Sequence, residues 1–285
     1  MRKAIFWDSD GTILYGNESF KISFLRACAD NGYNVDEQIV KQFMVKSCSW
    51  YSPEKDHSDL SGEEWWNDLL NKMHIFCKEI GISDCDVEII CNSFRRKVID
   101  YEYEAYPDAN EILTYFHNMG YENYIISNNF PELGQVFERL GLAKYISGVF
   151  TSAAMGYEKP RKEAYQYAIG QAGYPELCIM IGDNPVADYQ GGMKAGMKAI
   201  LVHSPPLYDE QQDVKVFLDE IKQFTHVTVG VSGLAACRGE LLEEAGVVFE
   251  IETNVVGRVF EHGHTFNTKT ESKTCIFLAV YSAVF

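Results

Sequence analysis

Asp8 and Asp10 stand two residues apart in Asp8-Ser9-Asp10-Gly11-Thr12, directly after the apolar run Ala4–Trp7. In extended backbone, positions i and i+2 point to the same side. Both carboxylates can therefore face one pocket at the carboxyl end of a buried strand. Two acids so close repel unless a cation lies between them or one is protonated. A hard divalent cation suits oxygen ligands, and magnesium (Mg2+) characteristically combines one or two carboxylates with waters and a substrate phosphate. Asp-Gly-Thr is equally ordinary turn chemistry, so this fragment by itself leaves a metal site and a simple turn both open.

Further polar groups follow other apolar runs. Asn123–Ser127 leads into Asn128, Asn129 and Pro131. There a hydroxyl, an amide and the free N–H groups of a helix could form an anion cradle, with an ordinary helix cap as the alternative for Ser127. Lys159 precedes Pro160, which reads as the first turn of a helix. A lysine at a helix N-terminus opposes the macrodipole, and a nearby anion would give it a reason. Cys178–Gly182 runs into Asp183-Asn184-Pro185-Val186-Ala187-Asp188. Asp183 is placed like Asp8. Asp188 falls near the start of the next helix, where a cap is the plain alternative.

These residues need a sheet to bring them together. Lys3–Trp7, Asn123–Ser127, Cys178–Gly182 and Lys198–Val202 read as buried strands, and Gly148–Thr151 as a weaker one. Helical patterns lie between them. Asp108–Met119 has Ile112, Leu113, Phe116 and Met119 on one face and stops at Gly120; Pro131–Leu140, Pro160–Ala172 and Asp188–Ala195 stop at Gly141, Gly173 and Gly196. This alternation predicts an α/β fold with a doubly wound parallel sheet, whose ligands bind beyond the carboxyl ends of the strands. Residues 17–104 show only helical runs: Glu18–Asn31, Asp36–Cys48, Glu63–Ile80 and Val87–Tyr101. Ser61 and Glu64 have capping-box spacing, and Trp65, Leu69, Met73, Phe76 and Ile80 form a core stripe. The expected organisation is a core over 1–16 and 105–225, an all-helical insert over 17–104, and a C-terminal extension over 226–285. In that extension His226–Val231 and Val247–Ile251 look strand-like and Gly239–Ala245 helical.

The motifs DSDGT at Asp8–Thr12, IISN at Ile125–Asn128, Lys159-Pro160 and GDNPVAD at Gly182–Asp188, in this order, resemble those of the haloacid dehalogenase (HAD) superfamily. The resemblance covers residues 1–202, with the insert where that family places its type-one helical cap. It implies a HAD-like Rossmannoid core and a Mg2+-dependent phosphatase working through an aspartyl-phosphate. Asp8 would be the nucleophile and Asp10 the general acid and base. Asp8, Asp183 and the Asp10 backbone carbonyl would hold the metal. Ser127 and Lys159 would bind phosphoryl oxygens, with Asn128 contributing its amide or backbone. Gly11 and Thr12 would shape the nucleophile loop, Thr12 fixing it. Asp188, with Asn184 beside it, would support the metal indirectly or orient Lys159. Dehalogenases of the family lack the second aspartate, so Asp10 favours phosphoryl chemistry over 2-haloacid dehalogenation; a phosphomutase uses the same residues and stays open. A phosphonate hydrolase would need a Schiff-base lysine in the cap, and nothing marks Lys21, Lys41 or Lys46 as one. Cap hinges are expected near Tyr15–Asn17 and Ala105–Pro107. Ser47–Tyr51 would either contact the leaving group or form a buried inter-helix loop. A non-catalytic binding protein using the extension is the remaining alternative.

The net charge of −16 argues against nucleic acid polymers and anionic membrane surfaces as partners. A small phosphorylated metabolite is the expected partner, bound by a monomer or homodimer. Eight scattered cysteines without a C-x-x-C suggest free thiols in a reducing, cytoplasmic setting. Asp8 interrupts the N-terminal apolar run too early for a signal peptide, and Cys275–Phe285 is too short to span a bilayer. His262 and His264 have no partner at metal-ligand spacing and read as loop residues.

Overall fold

The computed structural model describes residues 1–203. Five strands form one sheet: β1 (Lys3–Trp7), β2 (Tyr121–Ser127), β3 (Ile146–Thr151), β4 (Leu177–Gly182) and β5 (Lys198–Leu201), in the order β3-β2-β1-β4-β5. β1 pairs in parallel with both β2 and β4, and β2 in parallel with β3. The chain winds from β1 out to β3, then restarts on the other side of β1. The reversal falls between β1 and β4, and such a switch point opens a crevice at the carboxyl ends.

β1 reads as a continuous apolar run because both of its faces are buried. Ala4 and Phe6 join a cluster with Ala164, Tyr165 and Ala168 of α8 (Lys162–Gln171) on one face. Trp7 on the other face meets Phe116 of α5 (Ala109–Asn118) at a ring distance of 6.1 Å. Burying a side chain such as Phe6 contributes about 1.5–3 kcal/mol. The interior also holds Asn123 of β2. Its Oδ1 accepts from Trp7 Nε1 at 3.0 Å, and its Nδ2 donates to Leu113 O at 3.0 Å and Tyr145 O at 3.2 Å. One satisfied amide thus ties β1, α5 and the approach to β3 together.

Between β1 and α5 come α1 (Ser19–Asp30), α2 (Glu37–Ser47), a 3-10 turn (Ser49–Tyr51), α3 (Glu63–Glu79) and α4 (Asp84–Ile99), with no strand. The two crossings between this stretch and the sheet lie side by side. Leu14 bridges Ala105, Tyr15 N donates to Glu104 O at 2.9 Å, and Tyr106 N to Ile13 O at 3.0 Å.

Several helix starts differ from the sequence expectation. The Ser61 capping box does not form: α3 is preceded by Gly62 at φ 65° with no side-chain cap, because Gly62 N donates to Ala153 O at 2.7 Å. α6 (Leu133–Arg139) begins two residues past Pro131, so Ser127 does not cap it. α8 begins at Lys162 rather than Pro160. Asp188–Ala195 divides into a wide π-helical turn (Pro185–Gln190) and the short α9 (Gly191–Lys194); α7 is the single turn Ser152–Met155. Met119 leaves the α5 stripe and is exposed. The expected strands and helix beyond residue 225, with His262 and His264, lie outside the described residues.

Candidate active site

The strand order sets Asp8, Ser127 and Asp183 at neighbouring tips, with β1 in the middle. Asp8 N donates to Ile181 O at 2.8 Å, which carries the β1–β4 ladder one residue past the strand. Carboxylate oxygens of Asp8, Asp183 and Asp188 all lie within 4.8 Å of one another. Lys159 Nζ sits 2.9 Å from Asp8 Oδ1 and 2.5 Å from Asp188 Oδ1. Lys159 is 2% exposed and Asp188 0%. Burial works against the ammonium, but Asp188 and Asp8 together outweigh it and raise its pKa above the usual lysine value.

Lys159 reaches this position in a way the macrodipole argument did not foresee. Asn128 grips its backbone from both sides: Lys159 N donates to Asn128 Oδ1 at 2.7 Å, and Asn128 Nδ2 donates to Lys159 O at 2.9 Å. That grip holds Lys159 and Pro160 outside α8, which takes Arg161 in extended conformation as its N-cap. The lysine is placed by a buried ion pair, not by a helix end. The Asn128 amide is engaged there, so its backbone is the part left to meet a ligand.

Asp188 is held from a second side, accepting from Asn184 N at 3.0 Å. Asn184 Oδ1 in turn accepts from Val186 N and Ala187 N, both at 2.9 Å. The capping role considered for Asp188 therefore belongs to Asn184, and Asp188 pairs with Lys159. Gly11 turns the loop after Asp8 at φ 85°, and a side chain on it would collide with the Asp183 carboxylate. The loop closes on Ser9 O, which accepts from Ile13 N at 3.0 Å and Leu14 N at 2.8 Å. Thr12 is buried; its backbone N donates to Ser9 O at 3.3 Å, and its hydroxyl has no hydrogen-bond partner among the described residues.

The Asp10 carboxylate is absent from the three-acid group. Asn17 Nδ2 donates to its Oδ1 at 2.5 Å, and Asn129 Nδ2 to its Oδ2 at 2.6 Å. Burial, then the nearby Asp8 charge, push its pKa up to about 7 against those two donors. Asp183 is pushed to about 7 by the same two causes. Four acids against one lysine leave an excess of negative charge that a divalent cation would relieve. An all-oxygen donor set fits a hard ion.

Residues 2–196 match the family model described as haloacid dehalogenase-like hydrolase. The chain belongs to the haloacid dehalogenase-like hydrolases. Among these hydrolases, human haloacid dehalogenase-like hydrolase domain-containing protein 3 is 24% identical over 73% of this chain and 84% of its own length. The phosphoserine phosphatase of Thermus thermophilus is 34% identical over 35% of this chain and 41% of its own. Among solved structures, the magnesium-bound HAD-hydrolase YfnB of Bacillus subtilis superposes with a TM-score of 0.55 at 18% identity, over 76% of this chain and 99% of its own. A 2-haloacid dehalogenase from Pseudomonas syringae also gives 0.55, at 16% identity, covering 74% and 91%. At such identities these two establish the shared fold.

Three residues at the site carry no individual signal in the sequence. Asn17 lies just past the first crossing, and Asn129 follows the IISN motif; only the fold brings both to Asp10. Glu158 is buried beside Lys159 and accepts from the Ser49 hydroxyl, while Trp65 Nε1 donates to Ser49 Oγ at 3.3 Å. The Ser47–Tyr51 run thus docks against the sheet half through Ser49. Of the lysines weighed for a Schiff base, Lys41 and Lys46 are exposed and Lys21 pairs with Glu18 and Glu37. No helix among the described residues is long and apolar enough to cross a membrane.

Proposed function

We propose that this hydrolase is a magnesium-dependent phosphatase that cleaves a small phosphomonoester through an aspartyl-phosphate, with residues 17–104 serving as a cap. The observation that carries the reading is Asp10. It is a second carboxylate two residues past Asp8, held at both oxygens by amide N–H groups. An oxygen leaving group needs a proton, and this carboxylate is placed to exchange one. In the first step an Asp8 oxygen bonds to phosphorus while the ester P–O bond breaks. The departing oxygen keeps the electron pair and takes the Asp10 proton. In the second, a water oxygen attacks phosphorus, Asp10 takes the water's proton, and the Asp8–phosphate bond breaks to release inorganic phosphate.

Lys159 holds Asp8 in place and offsets charge at the phosphoryl oxygens, steadied by Asp188, Asn128 and Asn184. Ser127 and the Asn128 backbone complete the phosphoryl site. Asp8, Asp183 and the Asp10 carbonyl would hold Mg2+, which when bound supplies further neutralisation of phosphoryl charge. The phosphatases among the relatives, including a glyceraldehyde 3-phosphate phosphatase of Methanothermobacter thermautotrophicus, support this ester class. The free cysteines among the described residues suit a reducing cytoplasm.

The direct assay is phosphate release from p-nitrophenyl phosphate with and without Mg2+. Turnover is expected only with the metal and is lost in Asp8→Asn. Halide release from 2-haloacids with no ester hydrolysis would instead select the dehalogenase reading, which the dehalogenase-like fold supports.

A further inference from the structure

We propose that Asn17 is a positioning residue for Asp10, coupling the first helix of the 17–104 stretch to proton transfer; this role rests on the phosphatase reading above. Asn17 makes two short directional bonds, besides a longer one from Nδ2 to Tyr15 O at 3.5 Å. Its Oδ1 accepts from Ser19 N at 2.9 Å, an Asx turn that opens α1, and its Nδ2 donates to Asp10 Oδ1 at 2.5 Å. The first bond fixes the second. With the amide oxygen committed to Ser19, the amide nitrogen must face the carboxylate, and a flipped amide would set two oxygens against each other.

The other Asp10 oxygen is held by Asn129, which is anchored quite differently. Asn129 Oδ1 accepts from Phe130 N at 3.0 Å, and its backbone N donates to Ser152 Oγ at 3.0 Å. Both of those contacts lie on the sheet side of the crossings. Asn17 lies beyond the Tyr15–Glu104 pairing, on the helical side. The two oxygens of one carboxylate are therefore held from two parts of the chain. A displacement of α1 that pulls on the Ser19 N–H to Asn17 Oδ1 bond would draw the Asn17 amide from Asp10 Oδ1.

The chemistry of the donor suits a proton carrier. A neutral amide orients the carboxyl group and is compatible with its protonated and ionised forms in turn. Loss of Asn17 should then cost rate in proportion to how much the leaving group depends on Asp10. Phenolate leaves poorly without a proton, whereas 2,4-dinitrophenolate leaves well without one.

The experiment compares kcat/KM for phenyl phosphate and 2,4-dinitrophenyl phosphate in the full chain with Mg2+, for wild type, Asn17→Ala and Asn17→Ser. Serine retains an acceptor for Ser19 N but is too short to reach Asp10, so it separates the turn from the donor. Both variants are expected to lose about tenfold or more on phenyl phosphate and less than about threefold on 2,4-dinitrophenyl phosphate, a part of the usual general-acid contribution. Equal losses on the two esters, or wild-type behaviour of Asn17→Ser on phenyl phosphate, would reduce Asn17 to a structural turn and overturn the proposal. If thermal melting shows Asn17→Ala misfolded, Asn17→Ser decides. A wild type that hydrolyses neither ester overturns the phosphatase reading itself, and is told apart because no variant enters that result.

Discussion

The strand tips and the helical stretch 17–104 are ordered by different forces. At the tips, polar groups are directionally bonded around the buried Lys159, Asp8 and Asp188: Lys159 to Asp8 and Asp188, the Asn128 amide to the Lys159 backbone, and the Asn184 backbone N–H to Asp188. In the helical stretch, charged pairs such as Lys78–Asp84 at 2.9 Å lie at the surface. The interior there is aromatic, with Phe43 stacked on Phe76 at 4.3 Å and Trp65 edge-on to Trp66 at 5.0 Å. Hydrogen bonds and ion pairs in a dry site specify atom positions. Apolar packing specifies volume and tolerates exchange. The strand tips thus depend on the placement of individual polar atoms, while the helical stretch can vary without losing its shape.

The largest expected effect that exploits this contrast is Asp8→Asn, which should lower ester turnover on the order of 10³-fold or more, as removal of a nucleophile does. Steady-state phosphate release measures it. Lys159→Met comes next. It strands Asp188 and Asp8 without their buried counter-charge and should destabilise the fold by about 3–5 kcal/mol, read from the denaturant midpoint, besides impairing turnover. Gly11→Val drives a side chain into Asp183 from a positive-φ position and should weaken the apparent Mg2+ affinity about tenfold or more, seen as a rightward shift of the activation curve. Lys78→Ala removes a surface ion pair as short as that between Lys159 and Asp8, and should leave the midpoint and turnover unchanged. A Lys78→Ala variant as damaged as Lys159→Met would erase the contrast between the two regions.

The sheet was legible from the sequence because its strands are buried on both faces and read as uninterrupted apolar runs. Lys3–Trp7 is matched to the residue, and the glycines that end the helices take positive φ as the pattern required. The acids at the tips were legible because Asp8 and Asp183 interrupt such runs. Helix starts were less so. Ser61 and Pro160 each carry a local N-terminal signal, and each is overridden by a contact distant in sequence: Gly62 with Ala153, and Asn128 with Lys159. Asn17 and Asn129 were invisible for the same reason. An asparagine near a turn is commonplace, and only the parallel pairing of β1 with β2, with the side-by-side crossings, aims both amides at one carboxylate.

The central claim is that Asp8 carries the phosphoryl group. Acid-quenching the enzyme during turnover of an aryl phosphate with Mg2+, followed by peptide mass spectrometry, tests it most directly. The account predicts a phosphoryl mass on the peptide containing Asp8, absent from Asp8→Asn. Sustained hydrolysis with no label on that peptide, or with the label on another residue, would contradict it.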